Sequence, residues 1–87
     1  MKFWFIQESY PGLIARKDVA VIPSTSLEQA EATVLKYELV DKGCNVHVTE
    51  ATDEQVAVWA YEAVKMVERG KIYEGLLPYF DEALANM

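Results

Sequence analysis

The stretch TSLEQAEATVLKYELVDKG, residues 25–43, carries the clearest boundary signals in the chain and joins its two most strand-like neighbours. Thr25 and Ser26 can each cap a helix start, and Glu28 and Gln29 stand three residues on to close a capping box. Gly43 supplies a residue that turns left-handed at the end. These signals predict a helix over Ser26 to Lys42. At helical spacing, Leu27, Ala30, Val34 and Tyr37 share one side, while Ala32, Leu35 and Leu39 fall nearly opposite. A single partner cannot cover both stripes. One is expected on a sheet, the other against later helices or a second copy of the chain.

Upstream, Lys2 to Glu8 reads as a strand, rich in aromatic residues and without a helical cap. Phe3 and Phe5 lie on one side, Trp4 and Ile6 on the other, so this strand is expected at the centre of a sheet, covered on both faces. Tyr10, Pro11 and Gly12 form a turn, and Leu13 to Ile22 returns antiparallel with an irregularity near Lys17 and Asp18. Pro23, which cannot donate to a ladder, is expected to stop it. Downstream of Gly43, Cys44 to Thr49 alternates, with Cys44, Val46 and Val48 on the buried side and Asn45, His47 and Thr49 on the other. Strand, helix and strand in this order make a right-handed crossover, and the N-terminal strand fits between the two, antiparallel to both.

Thr52 with Gln55, or Asp53 directly, caps a second long helix running to about Arg69 and ended by Gly70. Its core face is Val56, Trp59, Ala60, Ala63 and Val67, and Gln55, Glu62, Lys65 and Arg69 make a polar strip on the other side, which Val58 interrupts and Tyr61 flanks. Gly75 to Asn86 is a last helix with Pro78 in its first turn and Leu77, Phe80 and Leu84 turned inward. The expectation is a single α+β domain, residues 1–87: a three-stranded mixed sheet in the order 2-1-3, a crossover helix and two C-terminal helices, β-β-α-β-α-α.

Composition narrows the function. The chain is 52% hydrophobic, enough for one core, and fourteen acidic against eight basic residues give a net charge of −6. That sign opposes direct binding to nucleic acid or an anionic membrane and favours a protein partner with a basic surface. Residues 44–87 hold eight acids and three bases, so the second half carries most of the excess. The single cysteine, Cys44, excludes an internal disulfide and points to a cytoplasmic setting. No apolar run is long enough for an export signal or a bilayer span.

The chemistry-bearing residues do not assemble a catalytic motif. Cys44 and His47 stand at an offset that puts them on opposite strand faces, so Cys44 is expected as a small buried hydrophobe. His47 could meet Glu8 or Glu50 across the sheet. One histidine and one opposed cysteine are too few for zinc, and the acids at Glu50, Asp53 and Glu54 lack the spacing and central glycine of a calcium loop. Their expected role is helix capping. Glu28, Glu31, Glu38 and Asp41 form an acidic edge on the first long helix, with Lys42 placed to offset Glu38. No glycine-rich phosphate loop, serine elbow or His-Glu metal motif is present, and no cofactor or enzymatic activity is expected.

Two N-terminal strands, a capped Ser26-Leu-Glu-Gln-Ala30 helix, a strand and terminal helices, in a short acidic chain, resemble small accessory proteins of phages and mobile elements, including inhibitors of CRISPR defence. The resemblance implies a non-enzymatic inhibitor or adaptor that covers or blocks a nucleic-acid-binding partner in the host cytoplasm. It carries no residue motif. From the residues themselves, the expected contacts to a basic protein are Glu31, Glu38, Asp41, Glu50, Asp53, Glu54 and Glu62, with Tyr61 and Tyr79 as aromatic anchors. Two other readings stand beside it. One is a homodimeric structural or regulatory domain joined through Ala32, Leu35 and Leu39 or through the aromatic N-terminal strand; the other is a small enzyme or ligand binder with a pocket near His47.

Overall fold

The apolar N-terminal run forms strand β1 (Lys2–Ser9), the central strand of a three-stranded sheet in a computed structural model that describes residues 1–87. Strands β2 (Lys17–Ser24) and β3 (Asn45–Glu50) flank it in the expected order β2-β1-β3. Helix α1 (Leu27–Lys36) joins β2 to β3. Helix α2 (Asp53–Glu68), one 3-10 turn (Glu74–Leu76) and α3 (Leu77–Ala85) complete β-β-α-β-α-α. Both ladders are antiparallel, so the pairing is not mixed; β2 and β3 run the same way because β1 lies reversed between them.

Successive strand residues point to opposite faces, and Phe5 and Ile6 are both buried, so β1 is covered on both sides. Phe80 of α3 closes the Phe3 and Phe5 face, its ring edge-on to Phe3 at 5.1 Å and 60°. On the other face Ile6 pairs with Ala20 and Val48. Val34 and Ala30 of α1 and Val56, Ala63 and Met66 of α2 join the same core. Met66 is buried although it falls at the margin of the apolar stripe. Leu84, expected inward, is exposed, and Phe80 is the one buried residue of α3.

The return strand starts later than the sequence suggests. Leu13 to Arg16 stay outside β2, and Ile14 is 98% exposed. The register shifts between Ile6 and Gln7, leaving Val19 as the extra residue of a bulge next to the expected site at Lys17 and Asp18. Pro23 does not stop β2 but pairs with Phe3 inside it, which an edge strand tolerates because a missing outward N–H breaks no ladder bond. β3 begins at Asn45, and its apolar side is only partly covered.

Helix α1 ends at Lys36 rather than Lys42. Ser26 caps its start, its hydroxyl accepting from the Gln29 N–H at 3.2 Å. At the other end Glu38 adopts φ 52°, with Glu38 N–H donating to Leu35 C=O (3.4 Å) and Leu39 N–H to Val34 C=O (3.0 Å). This pair of bonds is a Schellman ending with Glu38 in the position usually held by glycine. It turns Leu39 back onto the core beside Val34, off the stripe assigned to it. Gly43 serves the next turn instead, where Cys44 N–H donates to Asp41 C=O at 3.1 Å. A β-carbon at φ 52° is disfavoured by about 1 kcal/mol. Glu38→Gly is therefore expected to stabilise the fold by about 0.5–1 kcal/mol, read as a rise of a few degrees in thermal midpoint.

Helix α2 matches its sequence signals closely. Thr52 and Gln55 form the capping box, at 3.2 Å and 2.9 Å. Gly70 ends it at φ 70°, with Lys71 N–H on Met66 C=O at 2.8 Å.

Candidate partner-binding surface

Helical spacing and burial together define the outer face of α2. Val56, Ala63 and Met66 turn inward, which leaves Tyr61 near the middle of the opposite side, with Glu54, Val58, Val64, Lys65 and Glu68 around it. Tyr61 is 83% exposed, and Val58 and Val64 are exposed beside it. Tyrosine in this setting offers a large rigid contact area with a polar tip, and acids dominate the rim. Asp53 and Glu54 sit in the first turn, where they favour the helix dipole. They do not cap, because the Thr52 hydroxyl already holds the free Gln55 amide. Their carboxylates remain available.

The other acids do not join this face. Glu31 is exposed on α1; Glu38 and Asp41 follow α1 and line a groove of about 670 Å³ with Val34, Leu35 and Val46. The expected Glu38–Lys42 pair does not form, since the helix has ended before either residue. Glu50 closes the far end of β3, where its Oε2 lies 3.6 Å from Lys2 Nζ. Glu62 is half-buried, 3.8 Å from Lys65 Nζ, on a shallow groove with Trp59 and Arg69. Tyr79 borders a third groove beside Met1, Phe3 and Glu82. The nine expected contact residues therefore divide among separate surfaces, and only Glu54 and Tyr61 share the outer face of α2, with Asp53 at its N-terminal margin. Its companions Val58, Val64 and Glu68 are legible in the same helical spacing once the buried side of α2 is known.

His47 finds neither Glu8 nor Glu50. It pairs across the sheet with Gln7, so it shares a face with Ser9, whose hydroxyl is 2.8 Å from Nε2, while Glu8 and Glu50 point to the other side. Ser9 is buried, and its hydroxyl anchors the imidazole. Glu8 is also buried, and its Oε2 accepts the Asp41 N–H at 3.1 Å, tying the segment after α1 to β1. Lys17 Nζ stands 4.0 Å from the other oxygen.

Cys44 is half-buried on the rim of the groove beside Val46 rather than in the core, because β3 starts one residue after it. Partial desolvation raises its thiol pKa, Glu8 and Asp41 push the same way, and Lys17 opposes them. The thiol is thereby held in its protonated, less nucleophilic form. No group of three or more His, Cys, Asp or Glu side chains is arranged to hold a metal ion, and no helix is long and apolar enough to cross a membrane. The three main grooves are open to solvent. Neither a protein-family model, nor a curated protein, nor a solved structure matches this chain.

Proposed function

We propose that the chain is a non-enzymatic protein-binding inhibitor or adaptor that docks the outer face of α2 on a basic partner. The observation that carries this reading is Tyr61, 83% exposed among Val58, Val64, Glu54, Glu68 and Lys65, the lysine 3.8 Å from the Glu62 carboxylate. An aromatic anchor with apolar neighbours and an acidic rim suits a protein surface that itself binds polyanions. The net charge of −6 would steer association toward such a partner and away from nucleic acid itself. By its resemblance to small phage and mobile-element proteins, the partner is a nucleic-acid-binding protein of the host cytoplasm, such as a CRISPR effector, blocked without catalysis.

The test is capture from a bacterial lysate on the immobilised chain, with Tyr61→Ala and the double variant Glu54→Lys, Glu68→Lys in parallel. The wild type is expected to retain a basic protein at low salt and release it near ~0.5 M salt, where exposed charges are screened. Tyr61→Ala should weaken binding by about 2 kcal/mol, roughly thirtyfold. A wild type that retains nothing, or variants that retain the same protein equally well, would overturn the reading.

A further inference from the structure

The two edges of the sheet are built differently. The outer edge of β2 carries Lys17 at its start, the bulge at Val19 and Pro23 inside the strand, all of them features that discourage another strand from pairing. The edge of β3, Asn-Val-His-Val-Thr-Glu, has no proline, glycine, lysine or bulge. Ala51 N–H donates to Phe3 C=O at 2.9 Å, which fixes the alternation of the ladder. Asn45, His47 and Thr49 therefore turn their main-chain groups toward β1, whereas Val46, Val48 and Glu50 turn theirs outward. β1 and α1 are the main neighbours of β3, and neither pairs with that outer row.

An apolar strip runs beside these free main-chain groups. Val46 is 42% exposed and Leu35, on the second stripe of α1, is 77% exposed; the two line the same groove. We propose that this edge, with Leu35 beside it, is a self-association surface on which the occupant is β3 of a second copy of the chain, paired antiparallel about a two-fold axis at His47.

The side chains select that register. With His47 on the axis, Val46 of one copy lies opposite Val48 of the other, and these outward-facing residues exchange both main-chain hydrogen bonds. A one-residue slip would place valines opposite polar residues and put the two apolar faces on opposite sides of the sheet. A shift centring Val48 would set Val46 against Glu50. Only the His47-centred pairing sets both valines of each copy opposite valines of the other, and it brings the α1 helices of both copies to the same face. The contact is isologous and therefore closes as a dimer. Helix α2 packs on β2 and α3, away from this edge, so its outer face stays free.

Sedimentation equilibrium of the full chain at up to about 0.2 mM is expected to give twice the 9.9 kDa monomer mass. Val46→Lys, a lysine on an edge position already exposed to water, should keep the circular dichroism of the wild type and weaken dimerisation at least about tenfold. In a Cys44→Ser background, His47→Cys should form a covalent dimer on mild oxidation. Residues facing each other on the axis as a non-hydrogen-bonded pair have Cα atoms about 4.5 Å apart, within disulfide reach. Glu31→Cys in the same background should form no covalent dimer. A monomeric wild type would overturn the proposal. So would a dimer unmoved by Val46→Lys but dispersed by Leu35→Glu, or equal cross-linking through Glu31→Cys.

Discussion

Replacing Phe80 by alanine is expected to destabilise the domain by about 3–5 kcal/mol, the usual range for emptying a buried aromatic site. Phe80 is 2% exposed and packs edge-on against Phe3. It is also the only buried side chain of α3, which otherwise meets the body through α2 and the 3-10 turn before it. The loss should therefore fall first on α3. Hydrogen exchange is expected to show the amides of Leu77–Ala85 losing protection before those of β1, and a chemical-denaturation midpoint should fall with it. Uniform loss across α3 and the sheet would mean that Phe80 holds the core as a whole rather than docking one helix. For a domain of this size total stability is on the order of 4–13 kcal/mol, so the variant can lie close to unfolding at ambient temperature.

Ile6→Ala is expected to have a comparable effect, about 2–5 kcal/mol, by a different route. Ile6 is fully buried, pairs with Ala20 on one side and Val48 on the other, and faces away from Phe80. Its small neighbour Ala20 cannot fill the cavity, and both flanking strands depend on the same contact. Protection should fall throughout the sheet and α1 together, and the denaturation midpoint should drop without the selective loss of α3. If Ile6→Ala instead lowered stability by less than about 1 kcal/mol, the face of β1 that carries it would be collapsible rather than close-packed.

These two changes bear on the proposed surfaces as well as on the core. The outer face of α2 is presented because Val56, Ala63 and Met66 fix its rotation, and the free edge of β3 exists because β3 is the last strand of the sheet, paired to β1 alone. Neither binding surface contains Phe80 or Ile6. Variants at Tyr61 or Val46 should accordingly change association while leaving stability within about 0.5 kcal/mol of the wild type, as expected of exposed positions.

The sequence by itself determined the element order, the central place of β1 and both ends of α2. Each follows from forces acting over a few residues: Thr52 and Gln55 satisfy the first free amides, Gly70 accepts a positive φ, and aromatic and aliphatic side chains on both sides of Lys2–Ser9 require two covered faces. It also placed Tyr61 beside the polar strip of α2 through helical spacing. Only the tertiary structure decided where α1 stops, because Glu38 takes a left-handed conformation that glycine would ordinarily mark, and burial of Leu39 helps hold it there. It alone separated the acidic residues, since the early end of α1 removes Glu38 and Asp41 from one continuous helix face and β3 runs between them and Glu50. The exposed Leu35 and the unguarded edge of β3 belong to the same class. Both depend on which remote segment comes to cover a given face, and that is settled by packing between elements far apart in the chain.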